Sequence, residues 1–331
     1  MATLLIASAP DIASTIQGDA LLARGGWTEV GTIEGGAHYA HANGLVHLWW
    51  HPKKLLHEDH HDQRFAEAAG IPLGDLHEVI YLSRHYAASG QPSLTLHVIG
   101  VPGEAPVGEG AEYGGVKGAV VAPNPRFAAW YRLMCEAGAA HDLIPEFEMT
   151  IETTHHGPTL ATPTMFIEIG SSETHWDRRD AAEAWTDVIT TGLSLDGIAR
   201  PAVLTGDWWA MSAEEKAASK VMIGIGGGHY APRHTHVLDV TPCWLGHALA
   251  NYALPMEKPE DPEWDPDTGA LPEGQWQHAI RIAVDSTRAV FDGAQVVAHL
   301  DRKSFKGWQR RVIKRFLATL DVPVGRTADF E

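Results

Sequence analysis

Short apolar segments of strand length alternate along this chain with longer segments of helical periodicity, and that alternation restricts it to an α/β architecture. The apolar segments predict strands over about 2–8, 27–33, 44–50, 77–83, 93–100, 146–154, 164–170 and 218–225. Helical spacing predicts helices over about 10–23, 124–140, 177–193, 242–252, 276–291 and 303–320. Thr174 and Asp177 have the spacing of a capping box ahead of the third of these. The expected fold is α/β, with a mixed or mostly parallel sheet flanked by helices. Two lobes are expected, an N-terminal one over 1–105 and a C-terminal one over 106–331 that ends in a basic helix. Residues 51–62 read as a polar loop holding four histidines, and 101–123 as a long connection. No apolar run approaches the ~20 residues of a membrane span. Residues 1–10 lack the basic flank of a signal peptide and read as a buried first strand. With only two cysteines, Cys135 and Cys243, a disulfide scaffold is excluded and a reducing cytoplasm is the expected location.

Two compositional features point towards function. Histidine occurs 20 times in 331 residues, and it is the commonest metal ligand. The net charge is −17, which argues against a general nucleic-acid binder, DNA included. Yet residues 302–315 hold seven bases and no acid. On a helix, Phe305, Trp308, Val312 and Phe316 would share one face, and Lys303, Lys306, Arg310 and Lys314 the other. Such a ridge can grip phosphates while the acidic remainder repels other polyanions. Residues 257–273, with seven acids and four prolines, read as an exposed acidic loop or insertion.

The chemistry is expected where polar, glycine-punctuated segments follow strands, because ligands of open α/β sheets bind beyond the strands' carboxyl ends. Four segments qualify: 83–97, 152–159, 166–173 and 226–235. Their histidines and glutamates suit metal-assisted hydrolysis. Candidate metal ligands are His155, His156, His229 and Glu152. Adjacent His155 and His156 can reach one ion only if the chain turns there, as Gly157-Pro158 allows. Candidate catalytic residues are Glu168, His229 and His156. Glu168 lies between Ile167 and Ile169, so on a strand its side chain points away from theirs. His85, His97, Gly226, Gly227, Gly228 and Tyr230 are candidate substrate contacts, with the glycine amides as oxyanion donors. Tyr86 and Tyr230 are candidate stacking platforms for an RNA base. His57, His60 and His61 are expected in solvent, and His236 on a partly exposed strand. Neither HExxH nor GxSxG occurs.

Three stretches, SRHYAASGQPSLTLHVIG (83–100), IETTHHGPTLATPTMFIEIGSSETHW (151–176) and IGIGGGHYAPRHT (223–235), together resemble the archaeal and plant type of D-aminoacyl-tRNA deacylase. Gly246-His247 and Lys303 match further positions. Val101, where that family usually has an asparagine, and His234, where an apolar residue is expected, depart from its pattern. The resemblance implies a Zn²⁺-dependent hydrolase that releases a free D-amino acid from the 3′-terminal ribose of tRNA. It also implies two lobes similar to phosphorylase/hydrolase and peptidyl-tRNA hydrolase architectures. Lys303, Lys306, Arg310 and Lys314 would then contact the acceptor stem, and the site loops the 3′ end. Two other readings are a zinc-dependent amide or peptide hydrolase of small substrates and a non-catalytic, zinc-stabilised RNA-binding protein. No membrane partner is expected, and the sequence leaves the oligomeric state open.

Overall fold

A computed structural model describes residues 2–104 and 113–331. Two sheets organise it. The first uses β1 (Ala2–Ser8), β2 (Trp27–Ile33), β3 (Gly36–His41), β4 (Val46–His51), β5 (Leu76–Arg84) and β6 (Ser93–His97). After a two-stranded ribbon of β7 (Gly100–Val101) and β8 (Ala119–Val120) come its last members, β9 (Glu148–Ile151) and β10 (Thr164–Gly170). Their order is β2-β3-β4-β1-β5-β10-β6-β9, with a parallel centre of β4, β1, β5 and β10. The second sheet is wholly parallel: β12 (Trp244–Leu249), β11 (Lys220–Ile225), β13 (Gln295–Leu300) and β14 (Val324–Gly325), in that order.

The helices are α1 (Ile12–Ala23), α2 (His61–Ala69), α3 (Phe127–Ala140), α4 (Arg179–Gly192), α5 (Ala202–Thr205), α6 (Ala213–Ala218), α7 (Pro232–Val240), α8 (Gln275–Val290) and α9 (Gly307–Thr319). On the first sheet, Leu5, Ala7, Ile80, Leu82, Ile167 and Ile169 point into a core shared with α1, α3 and α4. That core continues through α7 to Met222, Leu245 and Val297 of the second sheet. Alternation sends Ile6, Tyr81 and Phe166 to the opposite face, where Phe65 of α2 covers them. The far side of the second sheet packs on α8 and α9 through Trp276, Ile280, Val312 and Phe316.

Several expectations are corrected. Residues 244–249 form a strand, not a helix, and all six are buried. A fully buried parallel strand has no period-two signal, so periodicity alone confuses it with a buried helix. Helix α7 was not anticipated; Pro232 opens it, with fixed φ suited to a first turn. It places His234 in the interior and His236 in solvent on a helix, not on a strand. Thr174 and Asp177 form no capping box, because α4 begins at Arg179 with Arg178 at its cap. His57 and His60 are exposed, but His61 starts α2, is fully buried and lies 2.8 Å from the Tyr81 hydroxyl. The expected 105/106 division falls where residues 105–112 lie outside the description, while β9 and β10 from beyond it join the first sheet. Residues 257–273 do carry their seven acids exposed, as expected, and the segment is also tied to α9: Arg315 donates to the Pro266 and Gly269 carbonyls at 2.8 and 2.9 Å, and Arg311 lies 3.6 Å from Asp267. Among the described residues no helix is long and apolar enough to cross a membrane.

At the end of the first sheet away from the strands' carboxyl termini, Glu78 and Arg126 form a buried ion pair at 2.7 Å. Thr3 and Asn124 also donate to Glu78, and Arg126 reaches the carbonyls of Gly192 and Thr205, tying α4 and α5 to the sheet. Glu78→Gln keeps the shape but leaves the buried guanidinium only Asp207, 3.7 Å away, as counter-charge. It should lower unfolding free energy by about 3–5 kcal/mol in urea titrations; a change below about 1 kcal/mol would show that the pair does not hold this end together.

Candidate active site

The site lies where the two sheets meet. Strand β9 runs out of the first sheet at Ile151, and the next residues thread towards the second. Thr153 N–H donates to His229 C=O at 2.9 Å, and Thr154 N–H to Ala248 C=O at 2.7 Å. Then the chain turns. His156 has φ 44°, and Gly157 packs so closely on Gly115 that a Cβ would stand 2.3 Å from the Gly115 nitrogen. This turn directs His155 and His156 inward together, with ring centres 4.4 Å apart.

Glu168 on β10 and His97 on β6 share the sheet face that carries Phe166, and His85 follows β5. The His85 backbone is fixed by Trp176, whose indole N–H donates to its carbonyl at 2.8 Å. Glycines let the chain leave β11: Gly226 and Gly227 have φ of 98° and 97°, and His229 then faces Glu152. Glu152 is the hub. Its carboxylate oxygens lie 2.9 Å from His229 Nε2, 3.0 Å from His85 Nδ1 and 3.5 Å from His155 Nε2. Glu168 lies 3.4 Å from His85 Nδ1 and 3.8 Å from His97 Nε2.

Electrostatics follows from two carboxylates deep in protein. Burial works against charge on His85, but Glu152 and then Glu168 outweigh it and raise its pKa to about 9. Burial likewise opposes a proton on His97, and Glu168 raises its pKa even so; 3.8 Å is too long for a hydrogen bond, so this attraction acts through space. Burial alone would neutralise Glu152, yet His85 and His229 hold it well below the usual carboxylate range. Glu168 is lowered against burial by His85 and His97. His155 and His156 are driven the other way, first by burial and then by the neighbouring imidazoles, His156 to about 3.

Neutral imidazoles suit metal binding, and their tautomers are set. The Nδ1 atoms of His155 and His156 lie 2.7 and 2.6 Å from the carbonyls of Thr153 and Gly157. Donation there leaves each Nε2 lone pair free. His97 Nε2 is buried and lacks a hydrogen-bonding partner, and neither buried Glu152 oxygen is met at hydrogen-bonding angles by the imidazoles beside it. Donor atoms from His97, His155 and His156 lie within 4.8 Å of one another, as do those from His85, Glu152 and His229, and from His97, Glu152 and Glu168. Such a donor set of imidazole and carboxylate fits a zinc ion.

All the candidate metal and catalytic residues, Glu152, His155, His156, Glu168 and His229, therefore converge. His85 and His97, expected only to touch substrate, stand inside the cluster. Tyr230 OH lies 2.7 Å from His85 Nε2. Two of the three glycine amides need correction as oxyanion donors: Gly226 N–H donates to Leu249 C=O at 2.8 Å and Gly227 N–H to Ser304 Oγ at 2.7 Å. Both are spent in holding the loop. On the basic segment Lys303, Lys306 and Lys314 are exposed, but Arg310 folds back onto the carbonyls of Arg302 and Phe305. Sequence reasoning missed a cavity of about 380 Å³ next to the cluster, lined by Asp11, Lys54, Arg84, Tyr113, His156 and Glu168. Beyond His156 and Glu168, the residues named come from separate segments, where only Asp11, the N-cap of α1, carries a local signal.

A family model for D-aminoacyl-tRNA deacylase matches residues 74–325. The chain belongs to the D-aminoacyl-tRNA deacylase family. A curated protein of that name from Arabidopsis thaliana is 42% identical over 330 residues, spanning 100% of both chains. Another, from Archaeoglobus fulgidus, is 33% identical over 203 residues, 61% of this chain and 62% of that one. A crystal structure described as a conserved protein of unknown function, AF0625, matches 99% of this chain and 96% of its own with a TM-score of 0.73 at 26% identity.

Histidines that support the site from behind are also held neutral by burial, His234 to about 4 and His247 to about 3. Their folded-state values lie below the 6.5 of an ordinary histidine. As pH falls below about 6.5 the unfolded chain takes up these protons first, so stability is lost until the folded-state values are reached. The midpoint of urea unfolding should fall steadily from about pH 6.5 to 4, with a shallower slope in His247→Gln. A flat profile over that window would contradict the burial of these rings as neutral groups.

Proposed function

We propose that this chain hydrolyses the ester between a D-amino acid and the 3′-terminal ribose of tRNA, releasing both, with zinc as cofactor. The observation that carries this reading is the buried cluster of five imidazoles and two carboxylates opening on a cavity, in a chain of this family. His155, His156, His229 and Glu152 would hold the ion. Zinc in such a site supplies Lewis acidity towards an ester carbonyl and eases ionisation of water.

The protein groups do the rest. Glu168 faces the cavity as an ionised carboxylate and accepts the proton of the attacking water. His85, bridging Glu152 and Glu168, holds both carboxylates ionised and fixes the orientation of Glu168. Glu168 then passes that proton to the departing ribose oxygen, and His229, with 27% of its side chain exposed, is the proposed ligand most open to solvent. Tyr86, 72% exposed beside His85, offers a stacking face to the terminal base. Lys303, Lys306 and Lys314 meet acceptor-stem phosphates.

Purified protein should release D-Tyr from D-Tyr-tRNA faster than L-Tyr from the matched L-Tyr-tRNA, and a chelator should abolish the release. His155→Ala and His229→Ala should lose bound zinc and deacylation together; lost activity with full zinc content would remove both from the ligand set. Lys303→Glu, Lys306→Glu and Lys314→Glu combined should raise KM roughly tenfold or more and flatten its salt dependence. An unchanged KM would make this face a solvated surface only.

A further inference from the structure

The turn between β13 and α9, which bears the exposed Lys303 and Lys306, also has an inward side. There Ser304 Oγ accepts the Gly227 N–H at 2.7 Å and donates to Asp301 Oδ2 at 2.9 Å. Asp301 is itself held, at Oδ1, by the Lys303 N–H and by Arg233, both at 3.0 Å. The fit is close: a Cβ on Gly226 would meet Phe305 at 2.7 Å and Ser304 at 3.0 Å. The turn is thus a mould for the glycine loop, and Ser304 is the hydroxyl that grips it, two residues before His229.

The loop is gripped on its other flank without help from this turn. His234 Nε2 lies 3.0 Å from the Gly226 carbonyl, and Asn251 N–H donates to Gly227 C=O at 2.9 Å. His234 Nδ1 in turn lies 2.8 Å from His299 Nδ1. These contacts keep the loop folded when Ser304 is altered. What Ser304 adds is direction: it fixes the plane of the Gly226–Gly227 peptide, and with it the line along which Gly228 delivers His229 to Glu152. Left-handed glycines have broad torsional freedom, so a missing anchor at Gly227 is felt as drift of His229 and not as collapse.

We infer that Ser304 is a positioning residue for His229, and that the lysine-bearing turn thereby sets the rate of the chemical step as well as RNA affinity. The inference rests on the deacylase reading for its substrate but not for its geometry. Ser304 touches neither substrate nor the reacting atoms. Its removal should therefore lower kcat with KM preserved, the reverse of the effect of the surrounding lysines.

The test compares wild type, Ser304→Ala and Ser304→Thr by two readouts. The first is kinetics on D-Tyr-tRNA; the second is amide hydrogen exchange, free of substrate, over residues 226–230. Ser304→Ala should lower kcat roughly tenfold or more, as expected for sub-ångström to ångström misplacement, with KM within about twofold of wild type. Exchange should quicken in 226–230 and nowhere else in the second sheet. Ser304→Thr, which keeps the hydroxyl, should restore both. Wild-type kcat and exchange in Ser304→Ala would overturn the inference, as would a raised KM at constant kcat. A global rise in exchange unrepaired by threonine would reduce Ser304 to a stability role and also overturn it. An inactive wild-type protein would strike the deacylase reading instead, and exchange would still decide whether Ser304 holds the loop.

Discussion

Two carboxylates buried within one small volume are the constraint on which this structure turns. Glu152 and Glu168 are almost wholly inaccessible, and each would be strongly destabilising alone as an anion. Removing them from water demands positive partners of similar depth. Histidine meets that demand in a way lysine cannot: it brings charge or a lone pair according to its neighbours. His85 sits between both carboxylates and is kept charged. His155 and His156, farther from Glu168 and crowded by other rings, are kept neutral. One residue type thus supplies a counter-ion and ligand-competent nitrogens within a few ångströms, and much of the chain's histidine excess has its explanation here.

Such a cluster needs strands from several directions, which is why it sits between two sheets. His85, His97 and Glu168 come from the first sheet, and His229 from the second. Glu152, His155 and His156 come from the single segment that bridges them. The bridge is held by backbone hydrogen bonds at Thr153 and Thr154, with Thr154 Oγ1 also 3.0 Å from His247 Nδ1. Main-chain hydrogen bonds make this junction precise without depending on side-chain packing. The shared core through α3 and α7 then resists any relative movement of the sheets that would pull His229 from Glu152.

How far the sequence reveals this depends on whether the signal is local. Strand ends followed by glycine, histidine or glutamate are local, and they led to every carboxylate and imidazole of the cluster. The position of Glu168 between two isoleucines foretold which way it faces, because strand alternation is obligatory. The turn at Gly157-Pro158 foretold that His155 and His156 could point together. Non-local facts were invisible. Whether a glycine amide is free depends on what lies opposite, and Ser304 and Leu249 lie opposite Gly227 and Gly226. The cavity beside Glu168 joins Lys54 to Tyr113 across turns with no common pattern. At 244–249 the physical ambiguity is deeper: a strand buried on both faces selects apolar residues at every position, and so does a buried helix segment.

Charge on the C-terminal helix is a case where geometry sorts residues that composition counts alike. Arg311 and Arg315 face the acidic segment, where Arg315 is used for backbone carbonyls and Arg311 for Asp267. Arg310 caps carbonyls of its own turn. Arg310 and Arg315 are therefore structural, whereas Arg311 is exposed and meets Asp267 only at the surface, and the other exposed cations of the helix and its leading turn are mainly lysines. That division has a physical logic. Guanidinium forks suit fixed carbonyl pairs, whereas a hydrated ammonium on a flexible stem contacts phosphates without demanding one geometry. Phosphate contacts orient a nucleic acid but carry no sequence information. On the deacylase reading this is what the substrate requires, since the ester to be cleaved is attached to a 3′ end common to tRNAs of different sequence.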